Sequence, residues 1–139
     1  MGDERLEMVT DFVTESRDML NDIEPQITQL EKYAMESGNV NDEILNTIFR
    51  LFHSIKGMAS FLDLRTVMTV THEAETLLDL VRKGQLTLHS EHVDVLYRTS
   101  DFVRGLLDVI DRHLNDAGFE QTATTIIDEI HKTIGDSNF

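Results

Sequence analysis

The stretch NDEILNTIFRLFHSIKGMASF, Asn41 to Phe61, decides the fold class of this 139-residue chain. Its apolar residues Ile44, Leu45, Ile48, Leu51, Phe52 and Ile55 recur at steps of three and four, which is one face of an α-helix and not the alternation of a strand. Asn41 is a good N-cap. Asp42 and Glu43 fall in the first turn, where the helix dipole favours negative charge. The same periodicity continues on both sides. Before it, Leu6, Val9, Phe12, Val13, Met19, Leu20, Ile23, Ile27 and Leu30 form a stripe, with Pro25 inside the run and Gly38 and Asn39 at its end. After it, Leu64, Val67, Val70, Thr71, Ala74, Leu77, Leu78 and Val81 share a face up to Gly84. Ser90 is the expected N-cap of a helix carrying Val93, Leu96, Val103, Leu106, Leu107, Ile110 and Leu114, closed by Asn115 and Gly118. A shorter helix uses Phe119, Ala123, Ile126, Ile127, Ile130 and Ile134. The chain reads as all-α, with helices near residues 5–36, 41–61, 64–83, 90–115 and 119–134. Four long amphipathic helices with short connections predict an antiparallel four-helix bundle, with an additional C-terminal helix packed on its side or end.

Composition agrees and narrows the function. The length suits one domain with a core of its own, and no repeat or linker divides residues 1–139. The absence of cysteine removes disulfides, thiolate metal sites and cysteine nucleophiles. Twelve Lys and Arg against twenty-six Asp and Glu give a net charge of −14, which argues against nucleic acid or an anionic membrane as partner. No apolar run is long enough to insert into a bilayer, and the start MGDERLEM lacks the basic and apolar segments of a signal peptide. A cytoplasmic domain is expected.

Chemistry concentrates around His53. At about 100° per residue its side chain lies roughly 150° from the centre of the apolar stripe, on the solvent side. Gly57 at i+4 and Ser60 at i+7 leave the surface beyond it nearly bare. A glycine inside a helix costs about 1 kcal/mol relative to alanine, so close approach of another protein to that imidazole is one reason for it. Lys56 and Arg50 flank the same face as a small basic island. An open imidazole in bare surroundings beside a cation suits a nucleophilic histidine that carries a phosphoryl group. A solvated face with an incidental histidine and glycine has the same composition. In the next helix Met68, His72, Glu75 and Asp79 share a ridge that can face His53. A carboxylate there can accept the Nδ1 proton and leave Nε2 free as the nucleophile.

These residues resemble a known family. His53-Ser54-Ile55-Lys56-Gly57 looks like the H-x-x-K-G signature of histidine-containing phosphotransfer (HPt) domains, and Met58-Ala59-Ser60-Phe61 resembles its small and aromatic continuation. Thr71-His72-Glu73-Ala74-Glu75 resembles the H-x-x-E element of the N-terminal phosphotransfer domain of CheA-type chemotaxis histidine kinases, nineteen positions downstream as in that domain. The resemblance covers about Phe12 to Leu114, and the fifth helix suits it too. It implies that His53 is the phosphoacceptor at Nε2 and that Glu75 hydrogen-bonds Nδ1. Lys56 and His72 would complete the polar network, and Gly57 would keep the acceptor accessible, with Ser60 and Arg50 on the docking surface. Ser60 and Asp63 stand where the family often has glycine; Asp63 tolerates a left-handed conformation and can cap the next helix. The implied partners are a kinase domain, which passes the γ-phosphoryl of ATP to His53, and response-regulator receiver domains, which take it onto an aspartate. ATP and Mg²⁺ would be used by those partners, with no cofactor bound here. The chain has no P-loop and no glycine-rich nucleotide lid, so catalysis would belong to the partners.

Three other readings stand beside it. A stand-alone HPt relay protein differs in lacking the kinase; the H-x-x-E element and the linker-like Gly135 to Phe139 favour the kinase fragment. A metal-binding bundle could use His53, His72 and Glu75, although such sites point their ligands inward. The third is a plain interaction bundle. His89 and His92 form an i, i+3 pair without a further ligand, and His113 and His131 read as helix C-terminal cations. Gly105, inside the fourth helix, suggests close packing.

Overall fold

A helix needs an apolar stripe to bury, and each segment of this chain supplies one. The computed structural model describes residues 2–138, with side chains from residue 3 to residue 135. Within them lie α1 (Gly2–Ser37), α2 (Asp42–Phe61), α3 (Arg65–Arg82), α4 (Ser90–His113) and α5 (Glu120–Asn138), and no strand. α1 continues through Pro25, whose ring lies on the exposed side. Its neighbours in space are α2 and α4; α3 touches α2 and α4, and so the four close into a bundle. α5 packs across α3 and α4 only.

The predicted stripes form the core. Every apolar position named for α3 is buried, and so are Val9, Phe12, Val13, Leu20, Ile23, Ile27 and Leu30 of α1. Leu6 is an exception, 48% exposed near the free end of α1. Gly135 to Asn138 continue α5 and do not begin a linker; Phe139 lies outside the described residues. Gly105 is not a close-packing position, because a Cβ added there would meet open space.

The helix ends carry information about the long-range fold. Asn41 caps α2 as expected, its Oδ1 accepting from the Ile44 N–H at 3.1 Å. α2 stops at a left-handed Asp63 (φ 58°), where Asp63 N–H donates to the Ser60 carbonyl and Leu64 N–H to that of Ala59, closing a Schellman motif. Gly84 (φ 73°) ends α3 by the same pair of bonds, to Val81 and Leu80. Three expected ends differ. Asp63 does not cap α3: Asp116, in the loop after α4, accepts from the Val67 N–H at 2.9 Å. The N-cap of α4 is His89, not Ser90. Leu114, not Asn115, takes the left-handed turn after α4 (φ 63°). Arg5 of α1 spans two of these ends, donating to the Leu62 and Leu114 carbonyls at 3.2 and 3.1 Å.

Candidate functional site

The site arises where the outer face of α2 meets the ridge of α3. His53 is on the solvent side, its side chain 61% exposed, because the apolar stripe of α2 faces the other way. Its Nδ1 lies 3.2 Å from Glu75 Oε2. Lys56, one turn further along, donates from Nζ to the same oxygen at 2.9 Å. Glu75 itself is buried, with 7% of its side chain exposed, and Oε1 has no hydrogen-bond partner among the described residues. Glu75 is therefore not the stripe-edge carboxylate that its ridge position suggests. A buried ionised carboxylate needs compensating partners, and here two cation-capable groups converge on one oxygen. With Nδ1–H donating to Glu75, Nε2 presents its lone pair outward, and no described residue hydrogen-bonds it.

Two further residues shape this face. The Phe49 ring, four residues before His53, lies nearly parallel to the imidazole, with 8° between planes and 6.0 Å between centroids. The Arg82 guanidinium sits 4.3 Å from the Phe49 centroid and pairs with Asp79. Hydrogen bonds from Lys83 and then Arg82 hold Asp79 below the ordinary carboxylate range. Both residues were readable in principle. Phe49 is at i−4 from His53, and Arg82 is the next step of the ridge Met68, His72, Glu75, Asp79.

The remaining predicted residues lie around the imidazole without joining its network. His72 is exposed and makes no hydrogen bond to His53, Lys56 or Glu75; with Met68, Thr69, Gly57 and Ser60 it lines an open groove between α2 and α3. Arg50 is exposed and forms no ion pair among the described residues. Gly57 is exposed, and a Cβ there would meet nothing in the chain itself, so whatever needs the bare surface comes from outside. A second groove, between α1 and α2, reaches Gly57 from the other side past Met8 and Phe61, which are 38% and 77% exposed. Among the described residues no three His, Asp or Glu side chains stand close enough together to share a metal ion, so His72 does not complete a triad with His53 and Glu75. The paired His89 and His92 are a structural feature: His92 is buried, and its Nδ1 accepts from the His89 backbone N–H at 2.9 Å. His131 lies mid-helix in α5, its Nε2 2.7 Å from Glu73 Oε2. No helix among the described residues is long and apolar enough to cross a membrane.

A solvent-facing imidazole on a four-helix bundle, oriented by a buried carboxylate and bordered by a bare surface, defines a class of phosphotransfer-type helical domains. Residues 7–117 match the Hpt domain family model, and the chain belongs to that family. It is 34% identical over 109 residues to the sensor histidine kinase CheAY of Helicobacter pylori, covering 78% of this chain and 13% of that protein. It is 33% identical over 97 residues to the chemotaxis protein CheA of Klebsiella aerogenes, covering 70% and 14%. The chain thus spans only a small part of these relatives' length. Its fold is that of the phosphorylated P1 domain of CheA3, solved in complex with CheY6 from R. sphaeroides: the TM-score is 0.81 over 95% of this chain and 98% of that one, at 22% identity.

Proposed function

We propose that this domain is the phosphoryl carrier of a chemotaxis-type histidine kinase, with His53 as acceptor and donor. The observation that carries the reading is the half-open imidazole whose Nδ1 is held by buried Glu75 while Nε2 faces solvent. The Nε2 lone pair attacks the γ-phosphorus of ATP held by a kinase domain. The Nε2–P bond forms as the bond from phosphorus to the bridging oxygen breaks, and ADP leaves. In the second step an aspartate oxygen of a response-regulator receiver domain attacks that phosphorus, and the N–P electron pair returns to Nε2. The Nδ1 proton stays on the ring, hydrogen-bonded to Glu75 throughout, so return of the N–P electron pair to Nε2 regenerates the neutral ring without a base. Lys56 offsets the phosphoryl charge, and His72, Arg50, Gly57 and Ser60 belong to the surface that partners approach. ATP and Mg²⁺ are supplied by those partners, residues 1–139 act as one HPt-type unit, and the reading assigns the chain to the cytoplasm.

Similarity to CheA proteins and the fold of a P1 domain crystallised with CheY6 support this assignment. The test is incubation with a CheA-type kinase core and labelled ATP. Label is expected on His53, labile in acid and stable in base, and absent from His53→Gln. Because the side chain is outside the core, His53→Gln should melt within about 0.5 kcal/mol of the parent. No label on the parent chain, or acid-stable label on Ser54 or Ser60, overturns the reading.

A further inference from the structure

An imidazole joined to its surroundings by one hydrogen bond is fixed at one point and can still swing about it. The Glu75 contact holds Nδ1, but by itself it does not set the plane of a ring that is 61% exposed. A second ring lies alongside it. Phe49 presents its face to His53 at 8° and 6.0 Å, within the range of offset aromatic stacking. Phe49 is in turn covered by Arg82, with the guanidinium carbon 4.3 Å from its centroid. Arg82 is tied to Asp79, and Asp79 Oδ2 also accepts from Lys83 Nζ at 2.8 Å. A continuous path runs from the last turn of α3 across Phe49 to the acceptor ring on α2.

We infer that Phe49 and Arg82 are positioning residues for phosphoryl transfer: they clamp the plane of the His53 imidazole so that the Nε2 lone pair keeps one direction. This rests on the reading of His53 as phosphoacceptor, and it adds a device that neither the hydrogen-bond network nor the docking surface contains. The clamp matters because transfer requires the nitrogen, phosphorus and leaving oxygen in line, and small misplacements of a reacting atom cost rate steeply. Phe49 does not touch the phosphoryl group in this scheme. Its effect goes through the ring it faces.

The test compares Phe49→Leu, Phe49→Tyr and Arg82→Gln with the parent chain. Phe49→Leu keeps an apolar side chain but loses the flat face; Phe49→Tyr keeps the face; Arg82→Gln changes only a surface side chain and leaves the core intact. With a CheA-type kinase core, Phe49→Leu should lower kcat for His53 phosphorylation about five- to tenfold with KM little changed, as loss of orientation predicts. Arg82→Gln should lower it about twofold in the same way, and Phe49→Tyr should restore the parental rate. Independently of any kinase, ¹³C relaxation of the His53 imidazole Cε1–H should show a lower order parameter in Phe49→Leu and Arg82→Gln than in the parent and Phe49→Tyr. Parental ring order in Phe49→Leu and Arg82→Gln overturns the inference even if the parent chain is never phosphorylated. Failure to label the parent would instead overturn the acceptor reading, with the relaxation result still deciding the clamp.

Discussion

At the residue scale, Glu75 serves two partners through a single oxygen, and its other oxygen is buried with no hydrogen-bond partner among the described residues. A buried polar atom that lacks a hydrogen bond costs stability. Glu75→Gln keeps the shape and an acceptor oxygen, so the Nδ1–H tautomer of His53 should persist in part; Glu75→Ala should lose it. Ring ¹⁵N shifts read the tautomer directly. Phosphorylation rates should fall in the order parent, Glu75→Gln, Glu75→Ala, and identical tautomers and rates in all three would reduce Glu75 to a buried acid without a role. Lys56→Ala removes one charge-assisted contact while Nε2 and Glu75 remain. Its phosphorylation should slow by an amount worth about 1.5–3 kcal/mol at most, without stopping. Single-turnover kinetics checks this, and complete inactivity in a folded Lys56→Ala chain would give the lysine another part.

At the element scale, two positions carry a removable backbone cost, one just after α2 and one inside α4. Asp63 occupies the left-handed position that ends α2, at a cost of roughly 1–2 kcal/mol for a residue with a Cβ, somewhat less for aspartate. Among the described residues its carboxylate gains only an exposed contact to Arg65. Asp63→Gly should therefore raise stability by about 0.5–1 kcal/mol. Gly105 lies in the interior of α4, and open space surrounds the position of its missing Cβ, so Gly105→Ala should add up to about 1 kcal/mol. Urea unfolding measures both, and the two gains should add, because the sites share no partner. A Gly105→Ala chain that is less stable than the parent would mean that the glycine faces something beyond this chain's own atoms.

At the scale of the whole molecule, α5 is held to the bundle by polar contacts as well as by its stripe. Arg98 of α4 pairs with Glu129 at 2.6 Å, and Glu73 of α3 meets His131. His92 of α4 points Nε2 at the Thr133 carbonyl, 3.2 Å away. Burial lowers the His92 pKa from its ordinary 6.5, against the raising effect of the Thr133 carbonyl. Its Nδ1 accepts a backbone N–H, so a second proton there would displace that bond. The unfolded chain consequently binds the proton more readily than the folded one, and stability rises with pH across this window. The contribution of His92 should be complete above about pH 6.5 and lost as pH falls through the lowered folded value. Melting temperature against pH measures it: His92→Gln should flatten the slope between pH 7 and pH 5, and an unchanged slope would remove His92 as its source.

What the sequence determined by itself was whatever repeats at helical spacing. The buried face of α3, the caps at Asn41 and Gly84, and the outward direction of His53 all follow from 3.6 residues per turn and from local backbone chemistry. The resemblance of His53 to Gly57 and of His72 to Glu75 to one family then pairs the two helices. Only the tertiary structure decided the depth of Glu75, the capping of α3 by Asp116 from 49 residues away, and the seat of Arg82 on Phe49. It also left His72 on the groove wall and carried His131 to Glu73. Each of these depends on how far one helix is rotated and shifted along its neighbour. A slide of a single residue, about 1.5 Å, or a rotation of some tens of degrees exchanges one partner for the next, and nothing local in the chain records that offset.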